Sequence, residues 1–331
     1  GHKIELDDNS TQNLDIAKDL LGESVTFDRA DLVVIATPVT SLFSVLQAEF
    51  SRNPEAIFID ISGLKSDLIC RVESFPDLSE RFCGTHPMAG REIAGPTGAR
   101  ADLFQGATWI LTPTKATASD VIETAKKIIG ELGGVVREVP AAVHDRSIAA
   151  VSHLPQILSS VLAGHINGIG EEAIALAGQR LRDMTRLADS NSDLWVELLT
   201  ANSQFVGSDL RVLQAKLAKL LVALDSDDKN SVKELLVEGN AGKSKIPGKH
   251  GKPSREYSYL PIVIDDKPGQ LAAIFDECAA ASVNVEDLYI EHSPGQETGL
   301  ITLALSSDDA NVLRDHLVNQ NWRVHDIRAQ R

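Results

Sequence analysis

DLVVIATPV at residues 31–39 and AIFIDI at 56–61 are apolar, largely β-branched runs with no polar alternation, each closing on small or polar residues. A strand that is apolar at nearly every position is covered on both faces, which points to a parallel sheet rather than one with a wet side. Reading outward, similar runs occur at His2 to Leu6, Arg81 to Thr85, Ala107 to Leu111 and Val135 to Val139, separated by helical stretches such as Ser119 to Leu132. The alternation over residues 1–140 predicts a doubly wound, mostly parallel α/β domain of the Rossmann-like, dinucleotide-binding type.

Beyond Ala141 the strand signal stops and helical periodicity replaces it up to Glu238. Leu154, Ile157, Leu158, Val161 and Leu162 recur at i, i+3, i+4 spacing, as do Leu210, Leu213, Leu217, Leu220, Leu221 and Leu224. Stripes this long predict an all-α dimerisation domain over 141–238 that forms a homodimer; an ordinary bundle within one chain is the alternative. Residues 239–256 (GNAGKSKIPGKHGKPSRE) read as a linker from their Gly, Pro and Lys content. From Tyr257 to the end the order is β-α-β-β-α-β: Ser258 to Ile264, a helix from Pro268 to Ala281, Val283 to Glu291, Gly299 to Leu305, a helix from Asp308 to Asn319, and Trp322 to Ile327. That order is the ferredoxin-like split βαβ unit.

Composition narrows the function. The 331 residues are 43% hydrophobic and 24% charged, as in ordinary globular proteins. With 32 Lys and Arg against 47 Asp and Glu, the net charge of −15 argues against nucleic acid as a partner, since phosphate backbones are gripped by clustered cations. Cys70, Cys83 and Cys278 are too far apart for a metal-type CxxC and too few for a disulfide framework, so no metal site and a reducing, cytoplasmic location are expected. The polar start is not a signal peptide, and no apolar run of membrane-spanning length stands out, so no membrane partner is expected.

A dinucleotide-binding domain should carry Gly-x-Gly-x-x-Gly between its first strand and helix, with an acid about 20 residues later. The loop is absent; GIGEEA at 168–173 matches the spacing only in part and follows a helical stretch. What is present is the piece that normally comes next: the run from His2 to Leu6 ends in Asp7 and Asp8, where a carboxylate at a strand tip accepts hydrogen bonds from the adenosine ribose. The chain is therefore expected to begin inside a Rossmann domain, after the first strand, glycine loop and helix. With Asn9 and Ser10 following Asp8, and no Arg to pair a 2′-phosphate, NAD is expected over NADP; solvated turn carboxylates are the alternative for Asp7 and Asp8. Ala36, Thr37 and Pro38, at the carboxyl end of the 31–36 strand, would let a cofactor approach the backbone.

His86 follows the strand from Arg81 to Thr85, at the sheet edge where active sites of open α/β folds lie. A titratable imidazole there suits acid–base work, although a lone histidine at a strand end is often structural. In the helical region His153 begins a helix, while Arg182 and Arg186, four apart on one face, suit bidentate capture of a small dicarboxylate. Pairing with Asp183 and Glu172 is the alternative for these arginines.

Taken in order, ATPV at 36–39, Asp60 with Lys65, HPMAG at 86–90 with Glu92, LTPT at 111–114, SHLP at 152–155 and RDMTR at 182–186 resemble prephenate dehydrogenase in the form carrying a C-terminal ACT domain. The resemblance spans nearly the whole chain. It implies NAD-dependent removal of hydride from the carbon bearing the ring hydroxyl of prephenate, loss of the ring carboxylate as carbon dioxide, and formation of 4-hydroxyphenylpyruvate for tyrosine synthesis. His86 matches the family's catalytic histidine and Arg186 its substrate arginine; His153 and Glu92 would line and close the substrate pocket with Arg182, and Lys65 would stand on the cofactor side.

Two positions depart from the pattern. The family serine two residues before the lysine is Gly63 here, so Ser62 beside it is the candidate substitute. Gln156 stands where many relatives have a second histidine, which leaves the choice between prephenate and arogenate open. The ACT resemblance implies an amino-acid effector, tyrosine foremost, held by Asp266, Pro268 and Gly269 in the first strand-to-helix turn and by Asn284 and Val285 at the next strand, with feedback control following. A module that only holds the oligomer together is the alternative there. Rival readings of the whole are a β-hydroxyacid dehydrogenase, which would need a catalytic lysine in the central helix, and a non-catalytic amino-acid sensor.

Overall fold

A computed structural model describes residues 2–22, 25–26, 28–90, 95–246, 257–292 and 297–329. The chain divides into two compact units, residues 1–219 and 220–331. In the first, α1 (Thr11–Leu21) is followed by β1 (Leu32–Ile35), α2 (Val39–Arg52), β2 (Ile57–Asp60), α3 (Ser66–Val72), α4 (Pro76–Arg81), β3 (Phe82–Pro87), β4 (Thr108–Pro113), α5 (Ser119–Glu131) and β5 (Val135–Glu138). The sheet order is β1-β2-β3-β4-β5, parallel throughout except where β4 runs antiparallel to β3. The mostly parallel sheet expected from the apolar runs is thus present.

Alternate side chains of β1, β2 and β3 enter different cores. Phe58 and Phe82 pack with Ile35, Leu42, Leu46, Val72 and Leu78 on one face, while Ile59 and Cys83 pack with Trp109, Leu111, Val121 and Ile129 on the other. Two apolar layers on one strand explain why the runs lack polar alternation. β3 and β4 approach so closely at Gly84 that a Cβ there would fall 2.5 Å from Thr112 Oγ1 and 2.9 Å from its carbonyl oxygen.

The run from His2 to Leu6 forms no strand, contrary to expectation. A strand needs a neighbouring ladder, and among the described residues the outer edge of β1 pairs with nothing; the only backbone bond of this run outside regular structure is from Val25 N to Ile4 O.

After β5 the chain is helical: α6 (Ala141–Ile148), a π turn (Ala149–His153), α7 (Leu154–His165), α8 (Glu171–Ile174), α9 (Gln179–Thr185), a 3₁₀ turn (Arg186–Ala188), α10 (Ser192–Ala201), α11 (Ser203–Asp225) and α12 (Lys229–Lys243). The π turn has a local cause. Pro155 has no N–H to bond the carbonyl four residues back, and Leu154 N reaches instead to Ala149 O, five back. The continuous stretch 141–168 reaches a mean hydropathy of 1.2 over 18 residues, long and apolar enough to cross a membrane by length and composition, which the sequence reading overlooked. Its His144, Asp145, His153 and Gln156 are buried and bonded to protein partners, as in the core helix of a folded domain. The expected linker is corrected at its start: α12, capped by Asp228, continues to Lys243, so Gly239 and Gly242 lie in helix at a cost of about 1 kcal/mol each relative to Ala. Residues 247–256 of that linker lie outside the described residues.

In the second unit β6 (Ser258–Asp265), α13 (Gln270–Ala280), β7 (Asp287–His292), β8 (Thr298–Leu305), α14 (Ser307–Asn319) and β9 (Arg323–Val324) follow the expected order, with sheet order β7-β8-β6-β9 and antiparallel pairing throughout. Leu260, Ile262, Ile301, Leu303 and Leu305 of the sheet bury against Ile274, Leu313 and Leu317 of the helices. Replacing Gly84 by Ala should lower the unfolding free energy in urea by about 1–3 kcal/mol through overpacking against Thr112; an unchanged midpoint would mean that β3 and β4 are not this close.

Candidate active site

The carboxyl ends of β2 and β3 meet the helical part of the first unit around His86. Asp60, the last residue of β2, is fully buried and accepts from Thr85 N at 3.1 Å, from Ser62 N at 2.9 Å and from Ser62 Oγ at 2.6 Å, besides the Lys65 ammonium. Ser62 Oγ also lies 3.0 Å from Lys65 Nζ and 2.9 Å from Leu64 O. These bonds fold the 60–65 loop tightly back on the strand end and turn Ser62 inward. Gly63 therefore faces the site: a Cβ there would lie 3.9 Å from His86 Nε2 and 3.2 Å from Leu198 Cδ2 of α10.

Two expectations are corrected here. Ser62 does not stand in for the family serine, because its hydroxyl is committed to Asp60, Leu64 and Lys65. Lys65 is not on a cofactor surface; with none of its side chain exposed, it is the partner of Asp60. Burial pushes its ammonium below the usual lysine range, and the Asp60 carboxylate opposes this.

A second carboxylate, Asp145 near the middle of α6, accepts from Lys65 N at 2.9 Å and Ser66 N at 2.8 Å and so caps α3. Its Oδ1 also lies 2.7 Å from His144 Nδ1, and His144 Nε2 lies 2.8 Å from His86 Nδ1. Donor and acceptor roles follow in sequence. A carboxylate only accepts, so His144 Nδ1 carries a hydrogen; in that tautomer the lone pair lies on Nε2, and His86 Nδ1 donates to it. The lone pair of His86 is left on Nε2, toward Gly63. Asp145 stays below the usual carboxylate range, because hydrogen bonds from His144, Ser66 and Lys65 outweigh its burial. Burial, then the positive charge of Lys65 and the neighbouring His144, push His86 down to about 3 against the pull of Asp145, so it is a neutral acceptor at physiological pH.

His153, in the π turn, is 1% exposed. Its Nδ1 accepts from Asn202 Nδ2 at 3.2 Å, the same amide donates to Asp145 O at 2.9 Å, and the Trp195 ring meets it edge to face at 5.8 Å. Burial lowers its pKa as well. Gln156 lies next to it in α7, but its amide nitrogen donates to Leu187 O and Ser190 Oγ, each at 2.8 Å. That side chain anchors the turn carrying Arg186 instead of presenting its amide to a ligand. Arg186 and Arg182 are exposed, Arg182 donating to Ala177 O at 3.5 Å; no hydrogen bond or ring contact described here joins either guanidinium to His86. Glu92 lies outside the described residues.

On the cofactor side, Ala36 and Pro38 are exposed at the end of β1 and Thr37 presents a buried hydroxyl with no partner among the described residues. Thr40, in the first turn of α2, donates to Glu197 Oε1 at 3.4 Å, while Glu197 Oε2 is buried with no partner among the described residues. Two buried polar atoms without partners among the described residues, beside small residues at a strand's carboxyl end, fit a polar cofactor such as a dinucleotide. Asp7 and Asp8 are exposed, and Asp8 accepts from Ser10 N at 2.7 Å in the turn before α1 rather than standing at a strand tip. Among the described residues no group of three His, Cys, Asp or Glu is placed to hold a metal.

Comparison with known proteins places this geometry. Residues 2–138 match the nucleotide-binding domain of prephenate dehydrogenase and residues 140–238 its dimerization domain. The chain belongs to the prephenate dehydrogenase family. A probable prephenate dehydrogenase, NovF, of Streptomyces niveus is 28% identical over 306 residues, covering 89% of this chain and 84% of that protein. The crystal structure of prephenate dehydrogenase from A. aeolicus with hydroxyphenyl propionate and NAD+ superposes with a TM-score of 0.65 at 25% identity, over 72% of this chain and 87% of that one. Synechocystis arogenate dehydrogenase gives 0.56 at 25% identity, over 70% and 82%. As a prephenate dehydrogenase family member the protein is an NAD-dependent oxidoreductase.

The residues that sequence reading missed are His144, Asp145, Asn202, Trp195 and Glu197. Only the adjacent His144 and Asp145 carried any signal, and on a helix such a pair reads as surface. Replacing Lys65 by Met should cost about 3–5 kcal/mol of stability in urea unfolding, because it strands Asp60 as a buried charge; a loss below about 1 kcal/mol would mean the pair is solvated.

Proposed function

We propose that this site oxidises prephenate, with loss of its ring carboxylate, to 4-hydroxyphenylpyruvate. The observation that carries the reading is His86 Nε2, an acceptor held neutral at the carboxyl edge of the sheet with Gly63 beside it. NAD, when bound, supplies the hydride acceptor. His86 accepts the hydrogen bond of the ring hydroxyl and takes its proton as the carbonyl forms, a contribution on the order of 10²–10⁴ in rate. Aromatisation of the ring drives the overall change. Arg186, with Arg182 one turn before it, offers a guanidinium to a substrate carboxylate, and the Gln156 bond to Leu187 O steadies the turn that carries it. His153, packed edge to face on Trp195, would stand on the substrate side. Thr37 and Glu197 hold the nicotinamide side.

Arogenate is the second reading. It is favoured by Gln156 at the position of a family histidine and by the likeness to the Synechocystis arogenate dehydrogenase. The homodimer is supported by the match to a dimerization domain and by exposed apolar residues along the helices, among them Val151, Val161, Leu217 and Leu221.

The second unit we read as an ACT-type module that senses an amino acid, tyrosine foremost. Its split βαβ strand order supports this, as does Gly269, whose φ of +90° at the start of α13 lets the backbone turn closely around a ligand carboxylate. Asp266 and Pro268 flank that turn. Asn284 and Val285 lie in the segment just before β7, where Asn284 donates to Glu286 at 3.1 Å. A 340 Å³ cavity in this unit opens instead beside Asp265, Gln270 and Trp322.

Steady-state assays with prephenate and arogenate, each with NAD and with and without tyrosine, test the reading. The His86→Asn variant should lose about 10²–10⁴ in kcat with NAD affinity nearly unchanged; turnover within a few fold of wild type would remove His86 from the reaction. The Arg186→Ala variant should raise KM by about tenfold or more while kcat changes less; an unaltered KM would exclude it from the substrate site.

A further inference from the structure

The lowered affinity of His86 for a proton poses a chemical problem: an imidazole pushed down to about 3 accepts the hydroxyl hydrogen bond but is a poor place to leave the proton. The groups facing it solve this. His86 Nδ1 donates to His144 Nε2 at 2.8 Å, and His144 Nδ1 donates to Asp145 Oδ1 at 2.7 Å, in a buried line of three side chains from β3 to α6. His144 is 2% exposed and Asp145 4%, so water does not compete for these bonds. Asp145 is itself fixed by Lys65 N, Ser66 N and its own helix, and cannot turn away.

We propose that His144 and Asp145 receive the reaction's proton, with His86 acting as a relay that ends the step neutral. This rests on the prephenate dehydrogenase reading of the same site. As the substrate O–H bond breaks, its proton forms a bond to His86 Nε2; the His86 Nδ1–H bond breaks and that proton bonds to His144 Nε2. His86 is then the other neutral tautomer, His144 an imidazolium, and Asp145 the carboxylate beside it, so one proton has moved and the positive charge rests next to a negative one. The remaining titratable groups around the two rings are Lys65, ion-paired to Asp60, and His153, bonded to Asn202; neither donates to nor accepts from His86 or His144 in a described hydrogen bond. His144 and Asp145 are positioning residues in the resting state, since they fix the tautomer of His86.

Nitrogen-15 NMR of histidine-labelled protein, with His86→Gln and His144→Gln used for assignment, tests the resting state without substrate. The His86 ring should carry its hydrogen on Nδ1 at neutral pH, and on acidification the added proton should appear on the His144 ring. A bare His86 Nδ1, or an added proton that settles on His86, would overturn the relay. Kinetics test its use. In His144→Gln the amide oxygen still accepts from His86 Nδ1 but cannot take a proton, so kcat should fall on the order of 10²-fold, with the NAD dissociation constant from fluorescence within about twofold. The acid limb of kcat/KM should move to lower pH, toward that of isolated, buried His86, and Asp145→Asn should move it the same way. Wild-type kcat and an unmoved acid limb in His144→Gln would refute the proposal. If the wild-type enzyme oxidises neither prephenate nor arogenate, the substrate reading fails, and the NMR titration still decides the relay.

Discussion

One carboxylate organises the site. Asp145 caps the first turn of α3 through two backbone N–H groups and orients His144, so a single side chain of the helical region fixes both the loop that closes β2 and the tautomer of the imidazole on β3. Charge-assisted hydrogen bonds of this kind are roughly twice as strong as neutral ones, and burial prevents water from replacing them. Without Asp145, His144 could carry its hydrogen on either nitrogen, and the tautomer with hydrogen on Nε2 would donate to His86 Nδ1 and leave the His86 hydrogen on Nε2.

The Asp60–Lys65 pair has a different part. A buried ion pair contributes little net stability, because desolvation offsets its attraction. Here its value is geometric: Asp60 binds Thr85 N, Ser62 N and Ser62 Oγ while Lys65 closes the loop, so the ends of β2 and β3 are held at one separation. Trp109 adds to this by donating to Thr85 Oγ1 at 2.9 Å from β4. The positive charge also acts on His86, keeping it neutral and available.

How much of this could be read from the chain depended on the range of the forces involved. The strands of the first sheet were legible because burial on both faces leaves uninterrupted apolar runs, and the second unit because its elements are local and regularly spaced. His86 was legible from topology, since the carboxyl end of a parallel strand is a place and not merely a residue type. The line from His86 to Asp145 was not, because it joins residues 58 and 59 positions apart through contacts that neither segment advertises. Lys65 and Ser62, placed on the cofactor and catalytic sides from the family resemblance, turn out differently for one reason: the decisive fact was which way each side chain turned at a strand end. The run from His2 to Leu6 shows the converse, a sequence with strand character that forms none without a ladder beside it.

The glycine at 63 unites these points. The resemblance to the family implies a serine there, yet in this chain a Cβ would already press on Leu198 Cδ2 of α10 at 3.2 Å. Gly63 brings no side-chain hydroxyl to His86 Nε2, and burial is the main cause of that ring's low proton affinity. Orientation must then come from the other ring nitrogen, and His144 supplies it. Losing a hydroxyl on one side of the imidazole thus increases the dependence on the carboxylate two side chains away on the other.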